Sequence, residues 1–348
     1  MKKILVVDFN GTTSVYTHYF AQGLKENNDV KILGKKKMFF LDFFKNLNVY
    51  LGFNTGVKFL DYILNWIWLL FNYKKFDIIV IQWLQLLKYT SIEVEFIKFF
   101  QKRVKLVYIL HNLYPHNNTN PKIINRYNKL YKFCKNIAVH TYEMKSDLKK
   151  INPKINILKI QHGYFFDEFR EQTSLLQENK CLMIGQILRY KGIEDALKVV
   201  KILKEKNTII HLKIMGLADQ NYLIELNKII DDFNIGNQVT IIPEIVPTAV
   251  FINEINKSTM LWLPYKKISQ SGISYTSIGL GKPFVGYNVG NFKSFFGDKG
   301  LANIVEKDNV IHFSEAVLEV LKNKQVYYKR IDEHAALNLW EANRVILN

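Results

Sequence analysis

The feature that most constrains this chain is an alternation, carried through twice, of two kinds of segment. Short runs rich in β-branched residues alternate with longer stretches of helical periodicity. In the first half, residues 3–9, 30–33, 77–82, 104–110, 136–140 and 155–160 read as strands, and 17–26 as a helix. Such near-continuous apolar runs suit a parallel sheet covered on both faces. Strands that alternate with helices imply right-handed βαβ units. Residues 161–179 are polar after an aromatic start and break the pattern. It then restarts, with strands expected at 181–184, 211–215, 239–242, 260–263 and from 284. Helices are expected at 193–204, 220–232, across 276–280, at 316–321 and at 335–347. The length of 348 residues suits two domains. The expected fold class is therefore α/β, with two Rossmann-like domains facing each other across a cleft. Residues 1–165 form the first, 166–330 the second, and 331–348 a closing helix that packs back towards the first.

In doubly wound sheets ligands bind beyond the carboxyl ends of the strands, so residues just past each strand are the candidates. After the first strand come Asp8, Phe9, Asn10, Gly11, Thr12 and Thr13, a turn that offers backbone N–H groups to an anion or a sugar hydroxyl. It lacks the glycine pattern of a dinucleotide site. His111 and Asn112 follow the strand at 104–110; the imidazole can take a proton or hold a hydroxyl. An idle loop histidine would look the same, and His116 is a weaker candidate. His162 closes the strand at 155–160, with a structural or lining role. Asp8 reads as a buried structural acid rather than a base.

The second half offers two phosphate-ready loops. Gly185-Gln186-Ile187-Leu188-Arg189-Tyr190-Lys191-Gly192 puts two cations between a strand and a helix. Pro264-Tyr265-Lys266-Lys267-Ile268-Ser269-Gln270-Ser271-Gly272 follows another strand and opens a helix that Gly281-Lys282-Pro283 stops.

These two loops resemble the donor half of the GT-B glycosyltransferases. They are similar to the large retaining family, glycosyltransferase family 4-like, of bacterial capsule, lipopolysaccharide and phosphoinositol mannosyl transferases. What the resemblance implies is a hexosyltransferase that binds a nucleotide sugar, UDP- or GDP-linked, as co-substrate, with no cofactor. Lys191 matches the family's diphosphate-binding lysine, and Ser271 and Gly272 match its phosphate-binding turn. His111 matches the acceptor-side histidine and is the catalytic candidate. Gly11 matches the first-loop glycine. With Gly185, Arg189 and Thr276 these make up the donor-binding set, and Thr12 and Asn112 lie on the acceptor side. The family's arginine after the loop glycine is Gln186 here, with Arg189 close by to compensate. Its two glutamates, with seven residues between them, are replaced by Ile268 and Thr276, which leaves retention or inversion open. No acidic pair recurs at a strand end, so the chemistry is expected to run without a metal.

Charge adds a partner. The chain carries a net +17, and residues 1–170 hold 27 Lys/Arg against 12 Asp/Glu. A positive block in one half points to an anionic surface. With a lipid-linked or glycan acceptor, this predicts a cytoplasmic enzyme attached to the inner face of the membrane. Residues 57–73 are strongly apolar, but Lys58, Asp61 and Asn65 rule out a span. They suit a core helix, or one partly embedded in the bilayer interface through Trp66, Trp68 and Phe71 beside Lys74 and Lys75. Cys134 and Cys181, far apart, support neither a disulfide framework nor a zinc site. The apolar opening is too short for a signal peptide. Two other readings compete: a nucleotide-sugar epimerase of the same architecture, and a non-catalytic protein that binds nucleic acid, another anionic surface or sugar alone. No recognition-helix or base-stacking motif supports nucleic acid.

Overall fold

The computed structural model describes residues 1–9, 11, 14–34, 49–115, 120–171, 179–268, 270–337 and 339–347. Two compact units emerge, one of Met1–Gly163 with Asn338–Asn348, the other of Tyr164–Leu337. The division falls two residues before the expected boundary at 165. The closing segment also divides: residues 331–337 belong to the second unit, and residues 338–348 to the first.

In the first unit the elements run β1 (Lys3–Asp8), α1 (Ser14–Leu24), β2 (Asp29–Gly34), β3 (Val49–Leu51), α2 (Lys58–Asn72), β4 (Ile78–Ile81), α3 (Ile92–Phe100), β5 (Lys105–Leu110), α4 (Pro121–Phe133), β6 (Asn136–Val139), α5 (Tyr142–Ile151) and β7 (Asn156–Lys159). They build one parallel sheet in the order β3-β2-β1-β4-β5-β6-β7. All four residues of β4 are buried, as are the last five of β1 and of β5. That is why these strands read as unbroken apolar runs.

The second unit runs β8 (Lys180–Ile184), α6 (Ile193–Glu205), β9 (His211–Met215), α7 (Gln220–Asp232), β10 (Val239–Ile242), α8 (Thr248–Lys257), β11 (Met260–Leu263), α9 (Gly272–Gly279), β12 (Phe284–Tyr287), β13 (Ala302–Val305), α10 (Val310–Lys322) and α11 (Lys324–Ala335). Its parallel sheet has the order β10-β9-β8-β11-β12-β13. Chain order reverses between β1 and β4 in one sheet and between β8 and β11 in the other. These are the switch points where such sheets leave a crevice for ligand.

Residues 57–73 resolve into α2, with its polar side turned inwards. Asp61 and Asn65 are buried and accept hydrogen bonds from the backbone N–H groups of Thr55 (2.7 Å) and Phe53 (3.2 Å). Trp66 is packed against Phe9, Phe96 and Phe100, which for this residue favours the core-helix reading over the bilayer one. The inward turn of the polar side has a simple cause. A helix backed by loop N–H groups puts its carboxylate and amide where those groups need partners. Among the described residues no helix is long and apolar enough to cross a membrane.

Candidate functional site

At the second unit's switch point, β8 ends at Ile184 and the chain turns through Gly185, whose φ of +102° lies outside the range L side chains adopt. A Cβ there would meet Lys191 Nζ at 2.9 Å and Ile273 Cδ1 at 3.7 Å. The notch left by the missing side chain thus gathers three parts of the chain: the end of β8, the lysine before α6, and the first turn of α9. Lys191 reaches it because Gly192, at φ +69°, breaks the preceding 3-10 turn and starts α6. Gly192 also passes so close to the β11 loop that a Cβ would sit 2.0 Å from the Pro264 carbonyl oxygen. The two loops singled out in the sequence are therefore packed together by a glycine.

The Lys191 ammonium lies 5.7 Å from the centre of the Tyr265 ring. Burial lowers its pKa from 10.5 to about 8, with no carboxylate to offset it. Beside it, Ser271 is the N-cap of α9 but makes no side-chain capping bond, and the first turn of α9 holds no acid. By contrast, Asp219 caps α7 by accepting from the N–H groups of Asn221 and Tyr222. An uncapped helix start beside a buried ammonium suits an anion.

Arg189 and Thr276 do not join this cluster. The Arg189 guanidinium is exposed, bonded to Glu225 at 2.6 Å and near Glu194 at 3.7 Å, and lies over the Tyr222 ring. Thr276 is buried, and its hydroxyl donates to the Gly272 carbonyl (2.9 Å) within its own helix. Lys266 is also engaged, by Asp195 and Asp308.

In the first unit, the strand ends collect a second group. His111 follows β5, His140 follows β6 and His162 lies just past β7. Tyr16 of α1 meets these rings edge-on at 4.8, 5.4 and 5.3 Å, and Trp340 at 5.3 Å. The Tyr16 hydroxyl pairs with His140 Nε2 at 3.0 Å, and Trp83 stacks on His111 at 4.8 Å. Burial lowers the pKa of His111 and of His162 to about 3, and drives that of His140 well down. His111 keeps part of its surface exposed, but the atoms packed around its ring leave little room for solvation of a charge.

A buried chain of hydrogen bonds fixes which nitrogen of His111 carries the proton. Thr17 Oγ1 donates to Asp8 Oδ2 (3.0 Å), Gln82 Nε2 donates to Thr17 Oγ1 (3.0 Å), and Gln82 Oε1 faces His111 Nε2 (3.3 Å). A hydroxyl has one proton, and Thr17 gives it to Asp8, so the threonine accepts from the glutamine amide. The glutamine then presents its oxygen, and His111 donates through Nε2, with Nδ1 left as an acceptor. A base with a pKa near 3 is poorly matched to removing a proton at neutral pH; it is suited to hold a hydroxyl.

Gly11, at φ +63°, donates its N–H to the Asp8 carbonyl oxygen (2.9 Å), which closes the turn after β1. Asn112 is half-buried beside His111. Thr12 and His116 lie outside the described residues. His140, Gln82, Tyr16 and Trp340 were missed in the sequence. The first two carried the signal that singled out His111, since each is the first residue past a strand. Among the described residues, no group of three or more His, Cys, Asp or Glu could hold a metal ion.

Residues 165–337 match the family described as glycosyl transferases, group 1. No curated protein matches the chain. Three solved structures resemble it throughout. HepE of Anabaena, in complex with UDP-glucose, is 12% identical, with a TM-score of 0.70 over 100% of this chain and 98% of its own. A glycosyltransferase from Rickettsia africae is 16% identical, with a TM-score of 0.69 over 100% and 99%. WaaG, a glycosyltransferase of lipopolysaccharide biosynthesis, is 12% identical, with a TM-score of 0.62 over 99% and 98%. Two doubly wound units, with an anion-ready notch at the switch point of the second, define a glycosyltransferase of the GT-B fold. Within that class, the match to the group 1 glycosyl transferases spans nearly the whole second unit.

Proposed function

We propose that this enzyme moves a hexose from a UDP- or GDP-sugar to a glycan or polyprenyl-linked acceptor in bacterial surface polysaccharide synthesis, capsule or lipopolysaccharide. It works without a metal, at the cytoplasmic face of the membrane. The observation that carries the donor half of this reading is the Lys191 ammonium, buried at the Gly185 notch without a carboxylate. A donor diphosphate supplies the missing negative charge. When the bond between sugar carbon and phosphate oxygen breaks, its electron pair stays on that oxygen. Lys191 and the backbone N–H groups of Gly272 and Ile273 stabilise the charge that builds there. Such groups, fixed before the reaction, need no reorganisation as the charge develops. Gly185 admits the phosphate, and Ser271 orients the turn. His111 and Asn112, with the Gly11 turn, hold sugar hydroxyls in the first unit. HepE, of like fold, was solved with UDP-glucose, which favours a uridine donor.

The test is thermal stabilisation by UDP, GDP, ADP, CMP and dTDP, repeated with Lys191→Ala. A ligand that binds only the folded state raises the melting temperature by mass action. One nucleotide is expected to do so in the wild type and not in the variant. No shift with any of the five would remove the donor-site reading.

A further inference from the structure

The outer side of α2 is the strongest unexplained surface of the first unit. Phe59, Leu60, Ile67 and Phe71 are exposed, Phe71 by 82% and Phe59 by 66%. Leu60, Ile63, Leu64, Ile67 and Phe71 recur at helical spacing and share one face. Among the described residues from Phe59 to Phe71 no charge breaks that face, because Asp61 is turned inwards. The helix is thus apolar on two sides: Tyr62, Trp66 and Leu69 pack into the core beside the buried Asp61 and Asn65, and a second apolar face is left to water. Contiguous exposed apolar surface of this kind marks a docking site.

Charge identifies the occupant. Lys58 lies at one end of the helix and Lys74 and Lys75 just past the other, all three exposed. Residues 1–163 carry 26 Lys/Arg against 10 Asp/Glu. A second copy would bring two strongly positive units together, which disfavours self-association. An anionic lipid surface meets both needs, with acyl chains for the apolar face and headgroups for the lysines. At 15 residues α2 is about 22 Å long, too short to span a bilayer and suited to lie along it.

We infer that α2 is a membrane-docking helix, which lays Leu60, Ile67 and Phe71 into the outer acyl region of an anionic leaflet while Lys58, Lys74 and Lys75 meet its headgroups. The inference rests on the reading of a membrane-face transferase and names the surface that would do the attaching.

The experiment is co-sedimentation of the full chain with phosphatidylcholine vesicles, with and without phosphatidylglycerol. The wild type is expected to bind the anionic vesicles, less so as salt rises. Ile67→Ser with Phe71→Ser should weaken binding at least about tenfold. Lys74→Glu with Lys75→Glu should abolish the preference for phosphatidylglycerol. Both variants should keep the wild-type melting temperature and nucleotide shift, since neither touches the donor notch. Unchanged vesicle binding by the Ile67/Phe71 variant would overturn the inference, with α2 then covered by another segment or a protein partner. Loss of the nucleotide shift with vesicle binding intact would instead count against the donor site and leave α2 docking in place.

Discussion

Lys191→Met keeps the length of the side chain and removes its charge. Burial holds the free ammonium at about 8 against an ordinary 10.5. At about 1.4 kcal/mol per pH unit, the gap is worth roughly 3 kcal/mol, and nearer 1–2 after allowance for the part of the side chain that solvent still reaches. The sign follows from proton counting. Between pH 8 and 10.5 the unfolded chain binds the proton that the folded chain has lost. The penalty is therefore full below about pH 8 and fades as the pH climbs to 10.5. Ligand-free Lys191→Met should then be more stable than wild type by about 1–2 kcal/mol in urea melts at pH 7, with the gain shrinking at high pH. Donor binding should show the complementary effect. At pH 8 the free lysine is about half protonated, and beside a diphosphate it is fully so. Binding should take up about half a proton, read by titration calorimetry in buffers of different ionisation heat. The ligand should be the intact nucleotide sugar, because the terminal phosphate of a free nucleoside diphosphate itself titrates near about 6. A variant that is less stable at pH 7 yet binds the nucleotide sugar unchanged would refute the argument. So would wild-type binding at pH 8 with no proton taken up.

Gly192→Ala adds a Cβ at φ +69° and 2.0 Å from the Pro264 carbonyl oxygen; a loss of at least about 2 kcal/mol is expected by urea titration. Arg189→Ala should change nucleotide affinity less than about threefold, because the guanidinium is exposed and already paired with Glu225; a tenfold loss in calorimetry would place Arg189 at the donor after all. Thr276→Val should leave nucleotide affinity unchanged while it removes the hydroxyl's bond to Gly272, at a cost of about 1 kcal/mol in a thermal melt. In nitrogen NMR, His111 and His162 should stay neutral from about pH 5 to 8, since burial holds both near 3. His111 should show the Nε2–H tautomer, and Asp8→Asn should mix the two; a midpoint near 6.5 for His111 would contradict its packing.

Strands were the most legible part of the sequence, because each leaves a short apolar, β-branched run bounded by polar segments. The runs at 211–215, 239–242 and 260–263 coincide with β9, β10 and β11. β3 was lost because its three residues follow an aromatic stretch that masks any period, and α8 because Thr248–Lys257 carries a weak pattern after a proline. The closing helix expected at 335–347 is a 3-10 segment at Glu341–Leu347, and α11 ends at Ala335, where that helix was to begin. Near the notch, local order was readable and charge pairing was not. Lys191 and Gly192 could be placed from their position between strand and helix. Arg189 looked equivalent to Lys191, and only Glu225, 36 residues on, separates them. Thr276 likewise gave no sign that its hydroxyl would turn back on Gly272.

Residues 339–347, which follow the second unit in sequence, complete the first. Trp340 packs where Gly23 and Gly163 have no side chain, Asn343 exchanges two hydrogen bonds with Gln161, and Arg344 donates to the Gly23 carbonyl oxygen. On a ribosome, the unit begun first is therefore finished last. The 174 residues of Tyr164–Leu337 must be made before Trp340 exists, which at about 5–20 residues per second is a delay of roughly 10–35 s. For that interval Tyr16, Tyr19 and His162 lack their indole cover. A nascent chain paused within the second unit would hold a first unit with a gap in its wall, and so present a distinct target to chaperones or proteases.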